Sequence, residues 1–245
     1  MAEAMDAARA GAVLAIDLDA VRANYRLLRE TAGQAACAAV MKADAYGLGM
    51  ERVAPALARE GCRVFFTAHL EEGIRLRRLV PADAIIYVLH GPPPGGGLET
   101  ALEFVHHDLI PVLNDPAHME LWRRASRQRR QRLPAALQFD TGMSRMGMAP
   151  SDVAALLADP AWKDEIAPGL VMSHLACADE PLHEMNGRQA ERFAALRARF
   201  PGVPGSLANS SAIFLGAGFH HDLVRPGAAL YGINPQPGAP NPLRQ

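Results

Sequence analysis

The 245 residues carry 25 Lys plus Arg against 26 Asp plus Glu, a formal net charge of −1, and 49% of them are hydrophobic. A chain of that length buries a real core within one domain, and its near-neutral balance gives no global pull toward nucleic acid or an anionic membrane. Three unpaired cysteines (Cys37, Cys62, Cys177), no basic or apolar leader over residues 1–12 and no apolar run of the roughly 18 residues a bilayer needs set the expectation of a cytoplasmic chain with free thiols.

Strand-like apolar runs alternate with amphipathic stretches along the chain. Residues 13–16 form a short apolar run, followed by Leu18, Val21, Tyr25 and Leu28 at helical spacing, with Asp17 or Asp19 as the N-cap. Next come a strand at 38–41, a helix at 53–58, a strand at 64–67, a helix at 71–79 and a buried strand at 85–89. Residues 90–97 are rich in Pro and Gly, which continue neither a helix nor a ladder, and read as a surface loop. The loop lacks the Lys-Ser or Lys-Thr of a P-loop. The alternation resumes with a helix at 98–105, a strand at 109–112, a helix at 115–132, a strand at 136–139, a helix at 151–157 and a strand at 169–172. A long helix over 184–200, a strand at 205–208, a short helix at 211–215 and a strand at 223–224 complete it. Leaving out 13–16, eight strands alternate with helices. That number predicts an α/β fold, a (β/α)8 TIM barrel, over an open doubly wound sheet. The expected organisation is an N-terminal extension over 1–12, the barrel over 13–234 and the start of a linker over 235–245.

Two features are read as structural. The helix bearing Arg123, Arg124, Arg127, Arg129, Arg130 and Arg132 is strongly basic, but a nucleic-acid surface also needs stacking or groove-reading groups. Only Trp122 is near, so the run reads as a solvated face and no nucleic-acid partner is expected. The pairs His106-His107 and His220-His221 point to opposite faces of an extended chain, and the spacing of His174 and Cys177 has no second pair to complete a ligand set. No metal site is expected.

Working residues of a barrel lie at the C-terminal ends of its strands. Lys42 follows the run 38–41, Arg145 lies just beyond Phe139-Asp140, and His174 follows Val171-Met172. Asn209-Ser210 end the seventh strand, and Arg225 with Gly227 end the eighth. Ser210, at the start of a short helix, and Gly227, which admits close backbone approach, suit a phosphate dianion. A lysine at the same barrel mouth, partly desolvated and so readier to lose its proton, suggests a carbonyl cofactor bound as an imine.

The segment Met41-Lys42-Ala43-Asp44-Ala45-Tyr46-Gly47-Leu48-Gly49 resembles the pyridoxal-phosphate lysine signature of alanine racemases. Four further segments resemble that family in the same order. They are Asp140-Thr141-Gly142-Met143-Ser144-Arg145-Met146-Gly147, then Ser173-His174-Leu175-Ala176 with Ala178-Asp179, then Asn209-Ser210, and finally Val224-Arg225-Pro226-Gly227 leading to Leu230-Tyr231-Gly232. The resemblance runs from about residue 15 to 233 and implies an alanine-racemase-type barrel that binds pyridoxal 5'-phosphate. It implies that Lys42 forms the internal aldimine and is the base on one face of the substrate α-carbon. Tyr46 then donates to the cofactor phosphate, Ser210 with the backbone near Gly227 and Ala228 completes that phosphate site, and Asn209 supports it. Arg225 faces the pyridine nitrogen, Arg145 faces the phenolic oxygen and the substrate carboxylate, and His174 packs near the ring. The implied activity is racemisation of alanine, supplying D-alanine for peptidoglycan, in a homodimer.

Against the family pattern, a second, strand-rich domain carrying the opposite-face tyrosine is missing before Gln245. The expectation is therefore a chain that binds the cofactor and racemises weakly or not at all alone; Tyr231 is no obvious substitute. Gln138 stands where many members have a carbamylated lysine bracing the equivalent of Arg145, and as a neutral amide it can still hydrogen-bond that arginine. Ser206 stands where some have a His supporting the pyridine-facing arginine, and Leu48 replaces a frequent His. Alternatives are a broad-specificity amino-acid racemase, a decarboxylase on the same fold (disfavoured by Arg225), and a non-catalytic carrier of pyridoxal phosphate.

Overall fold

A computed structural model describes residues 11–93 and 95–245. The expected extension over 1–12 falls outside the described residues for its first ten positions, as does Pro94 of the Pro-Gly loop. The apolar run at 13–16 pairs with no strand, and Val13 and Leu14 lie exposed.

The first helix, α1 (Leu18–Ala32), starts where the Asp17 carboxylate accepts from the backbone N–H groups of Asp19 (2.8 Å) and Ala20 (3.1 Å), so Asp17 is the cap. It buries the face carrying Val21, Tyr25 and Leu28 and ends at Gly33, whose φ of 64° only glycine adopts without strain.

Nine strand pieces follow: β1 (Ala36–Cys37), β2 (Ala39–Val40), β3 (Val64–Thr67), β4 (Ile85–Val88), β5 (Ile110–Leu113), β6 (Leu133–Gln138), β7 (Ile166–Met172), β8 (Gly205–Ser206) and β9 (Leu223–Val224). All their ladders are parallel. β2 to β8 run in sequence order as a curled seven-stranded sheet, and β1 pairs with β9. β1 and β2 are consecutive pieces of one edge. Ala36, Ala38 and Val40 donate to the carbonyls of Asp222, Val224 and Pro226 at 2.9–3.0 Å, while β2 pairs with β3 on the other side. β9 lies beside β8 through Asp222 N–H to Gly205 O and Arg225 N–H to Ala208 O. The curled sheet returns on itself, as a (β/α)8 barrel requires.

Period-two alternation sorts the strand side chains into two layers. Phe66, Tyr87, Val112, Ala136, Leu170 and Met172 fill the barrel interior, with Phe66 stacked on Tyr87 at 4.9 Å. Their neighbours Phe65, Ile86, Val88, Leu113 and Val171 face the outer helices. Those helices are α3 (Met50–Arg59), α4 (Leu70–Arg77), α5 (Gly97–His106), α6 (Pro116–Arg129), α7 (Pro150–Ala158) and α8 (Glu184–Arg197), after a short turn α2 (Lys42–Tyr46). Each fully buried Phe or Leu in these layers contributes about 1.5–3 kcal/mol. Trp122 of the basic helix α6 is fully buried against Phe104, and Glu165 pairs with both Arg123 and Arg127. Residues 241–245 lie along α1, where the Asn24 amide brackets the backbone of Arg244. No helix among the described residues is long and apolar enough to cross a membrane.

Candidate active site

At the C-terminal ends of the strands a cavity of ≈ 680 Å³ opens, and every residue expected at the site lines it: Lys42, Tyr46, Arg145, His174, Asn209, Ser210, Arg225, Gly227 and Ala228. Gln138 lines it as well.

Lys42 leaves the end of β2 on a turn of unusual hand. Ala43, Asp44 and Ala45 have φ of 51–57° and ψ of 47–51°, and Tyr46 continues with φ of 57°. Four consecutive non-glycine residues in a left-handed turn cost about 1–2 kcal/mol each. The turn is closed by Ala45 N–H to Met41 O (2.9 Å) and Gly47 N–H to Ala43 O (2.8 Å). It carries Lys42 and Tyr46 toward the same cavity, with the Lys42 ammonium nitrogen 5.7 Å from the Tyr46 ring centre. Burial lowers the Lys42 pKa below the ordinary lysine value, and the Arg145 charge lowers it further, against an opposing pull from Glu72.

Tyr46 leans on Tyr231, ring centres 4.9 Å apart, and its hydroxyl reaches Gly227 so closely that a Cβ there would sit 2.2 Å from it. The Ser210 hydroxyl accepts from the N–H groups of Gly227 (3.0 Å) and Ala229 (3.1 Å), tying the loop after β8 to the 3-10 turn Ala228–Tyr231. The short helix expected at 211–215 is a 3-10 turn over Ala212–Leu215, and Asn209 rather than Ser210 caps it, accepting from Ala212 N–H at 3.1 Å. The Ser210 hydroxyl is turned instead to the backbone that follows β9.

Arg225 is 4% exposed, and its partners are neutral: the Ser206 hydroxyl (2.5 Å), the Ser173 carbonyl (2.6 Å) and His174 Nδ1 (3.5 Å). Burial pushes the guanidinium down to about 9, which leaves it charged at neutral pH. Ser206, read as a departure from the family pattern, supports this arginine directly and donates its own hydroxyl hydrogen bond to Leu223 O at 2.5 Å. His174 is driven down to about 3, first by burial and then by Arg225, Arg145 and Lys42, so it is a neutral imidazole.

Arg145 stands on a tight loop whose ends are joined by Met148 N–H to Gln138 O and Asp140 N–H to Met148 O. The Asp140 carboxylate accepts from Gly142 and Ser144 N–H, and a Cβ on Gly147 would meet the backbone at 2.8 Å. The hydrogen bond that Gln138 could accept from Arg145 is not formed among the described residues, although both side chains line the cavity. Among those residues no three His, Cys, Asp or Glu side chains converge as metal ligands.

Sequence reasoning missed the supports behind this wall. Fully buried Gln189 of α8 accepts from Ala176 N–H (2.8 Å) and donates to His174 O (2.9 Å) and Thr141 Oγ1 (3.2 Å), joining the loops after β6 and β7. Thr141 in turn bonds Ser173 at 2.8 Å. Nothing in a mid-helix Gln announces this in sequence.

Residues 16–235 match the family described as alanine racemase, N-terminal domain. The chain belongs to this family. Over 236 residues it is 55% identical to the protein named "Alanine racemase, catabolic" of Mesorhizobium japonicum, covering 96% of this chain and 61% of that one. It is 50% identical to the alanine racemase of Rhodospirillum rubrum, covering 97% and 63%. Among solved structures, alanine racemase from Bartonella henselae with covalently bound pyridoxal phosphate superposes with a TM-score of 0.88 at 39% identity, over 94% of this chain and 65% of that one. The chain thus spans about three fifths of the length of the alanine racemases it matches.

Proposed function

We propose that this barrel holds pyridoxal 5'-phosphate on Lys42 and serves the racemisation of alanine. The observation that carries this reading is a lysine of lowered pKa opening into one cavity with Tyr46, Ser210 and two arginines that have no carboxylate partner among the described residues. Such a set suits a small dianionic aldehyde. Lys42 supplies the amine, while the Tyr46 and Ser210 hydroxyls and the backbone near Gly227 and Ala228 receive the phosphate. When bound, the cofactor supplies an electron sink for the α-carbon.

In the arrangement the family resemblance implies, Arg225 faces the pyridine nitrogen. A guanidinium offers no lone pair and stays charged, so it keeps that nitrogen unprotonated, which favours returning a proton to the α-carbon over transamination. Arg145 receives the substrate carboxylate at the mouth. Lys42, relieved of part of its proton affinity by burial, moves the proton on one face. Among the other groups here, Tyr231 donates its hydroxyl to Val40 O at 3.0 Å and burial pushes its pKa up, and His174 is too weak a base. Following what the family resemblance implies, we assign the opposite-face group to a partner protomer, within a homodimer acting in the cytoplasm.

Supply of D-alanine to the cell wall is the proposed direction. The word "catabolic" in the name of the Mesorhizobium protein supports a second reading, in which D-alanine is consumed. Incubation with pyridoxal phosphate and L-alanine in deuterated water tests the reaction. Cofactor uptake with little α-proton exchange by this chain alone fits the assignment; D-alanine formation by it would place the second group inside the barrel.

A further inference from the structure

The left-handed turn that presents Lys42 has no local reason to exist, because nothing in Ala43-Asp44-Ala45-Tyr46 favours positive φ over four residues. Its support comes from the loop after β3. One oxygen of the Glu72 carboxylate accepts from Ala43 N–H at 2.6 Å, and the other accepts from Ala68 N–H at 2.7 Å and His69 N–H at 3.1 Å. Ala43 is the residue bonded directly to Lys42. The second bond set is a helix cap, since Glu72 is the third residue of α4. A single carboxylate therefore joins the start of α4 to the first peptide of the lysine turn.

The far end of the turn is held by other groups. The Asp44 carboxylate accepts from Met50 N–H (2.8 Å) and from Arg75 (2.8 Å), and Tyr46 is wedged between Tyr231 and Gly227. Among the described residues, Glu72 is the group that accepts from the N–H of the Lys42–Ala43 peptide, while the peptide before Lys42 is held by Ala45 N–H to Met41 O. A charged acceptor gives short, strong bonds to backbone N–H groups, which suits a residue that must hold a strained conformation in place.

We propose that Glu72 is a positioning residue for the Lys42 amine: through Ala43 N–H it sets where that amine stands, while the phosphate seat at Tyr46, Ser210 and Gly227 does not depend on it. This rests on the proposed role of Lys42 as the cofactor-holding residue.

The two jobs of Glu72 can be separated by length. In this same protein an aspartate at the third position of α7, Asp152, accepts from Ala149 N–H at 3.0 Å, so Asp suffices for the cap. Glu72→Asp therefore keeps the α4 cap and the charge but withdraws from Ala43. The measurement is the rate at which the purified protein forms a borohydride-trappable link with pyridoxal phosphate at Lys42. Alongside it run thermal unfolding and the affinity for pyridoxine phosphate, which lacks the aldehyde. The expected result is link formation slowed about tenfold or more, since misplacing a reacting group by about 1 Å costs up to a hundredfold. Unfolding temperature and pyridoxine phosphate affinity should stay near those of the unmodified protein. Glu71→Gln, an exposed neighbour of the same charge, should behave as the unmodified protein. If Glu72→Asp lowers the unfolding temperature, Glu72→Gln, which keeps the length, is read by the same ratio of link rate to pyridoxine phosphate affinity. Link formation at the unmodified rate, or an equal loss in both readouts, overturns the proposal. Failure of the unmodified protein to form any link at Lys42 overturns instead the function on which it rests.

Discussion

The Ser206 hydroxyl accepts from the Arg225 guanidinium at 2.5 Å and donates to Leu223 O, so one small side chain on β8 both pairs the buried cation and pins it to β9. Replacing Ser206 by Ala leaves a guanidinium N–H of a 4%-exposed arginine without its partner. The expected cost is about 2 kcal/mol, and a fall of roughly 4–8 °C in unfolding temperature. Calorimetry checks it; an unchanged melting temperature would show that Arg225 finds another acceptor.

Arg145 lowers the proton affinity of Lys42 across the cavity, second to burial. In Arg145→Met the cation is gone, so the Lys42 pKa rises. The pH midpoint for linking pyridoxal phosphate should move to higher pH and still stay below the ordinary lysine value, because burial remains. A midpoint that moves down, or not at all, contradicts the arrangement.

His174 is neutral when folded, with its pKa down at about 3 against 6.5 unfolded. Between those values the unfolded chain binds a proton that the folded one refuses, so stability falls as pH drops through this window. His174→Asn removes that term. Its stability should fall less steeply with acid, by up to about 1.4 kcal/mol per pH unit. Urea unfolding at a series of pH values reads the difference in slope.

At Gly227 a Cβ would sit 2.2 Å from the Tyr46 hydroxyl oxygen. Gly227→Ala should push Tyr46 off the proposed phosphate seat and weaken pyridoxal phosphate about tenfold or more, the equivalent of 1.4 kcal/mol. Pyridoxal without the phosphate should lose much less. Equal losses for both ligands would argue against a phosphate seat at this glycine.

These sites differ in how far the sequence announces them. The strands at 64–67 and 223–224 appear at the residues expected, since their apolar runs are bounded by polar or turn residues. β7 begins at Ile166, three residues before the expected 169, because Pro168 looks like a strand breaker; the pairing passes from Ala135–Pro168 to Ala136–Leu170, so Gly169 is the extra residue of a bulge in β7. The seventh expected strand runs over 205–208, and the observed ladder of β8 stops at Ser206, although Ala208 O still accepts from Arg225 N–H.

Strand-end logic and family resemblance located the polar lining of the cavity. The means of holding it were invisible, since they depend on partners distant in sequence. The first peptide of the Lys42 turn is bonded by Glu72, 29 residues beyond Ala43, and the loops after β6 and β7 are joined by a glutamine from α8. Local propensity carries no trace of such bonds.

The central claim is that Lys42 holds the cofactor, and the sequence makes it unusually clean to test, because it contains two lysines, Lys42 and the exposed Lys163. The protein is mixed with pyridoxal phosphate, reduced with borohydride, digested, and the modified peptide identified by mass. The account predicts one pyridoxyl group per chain, on Lys42, and none in Lys42→Ala. Modification confined to Lys163, or equal labelling of the Lys42→Ala protein, would contradict it.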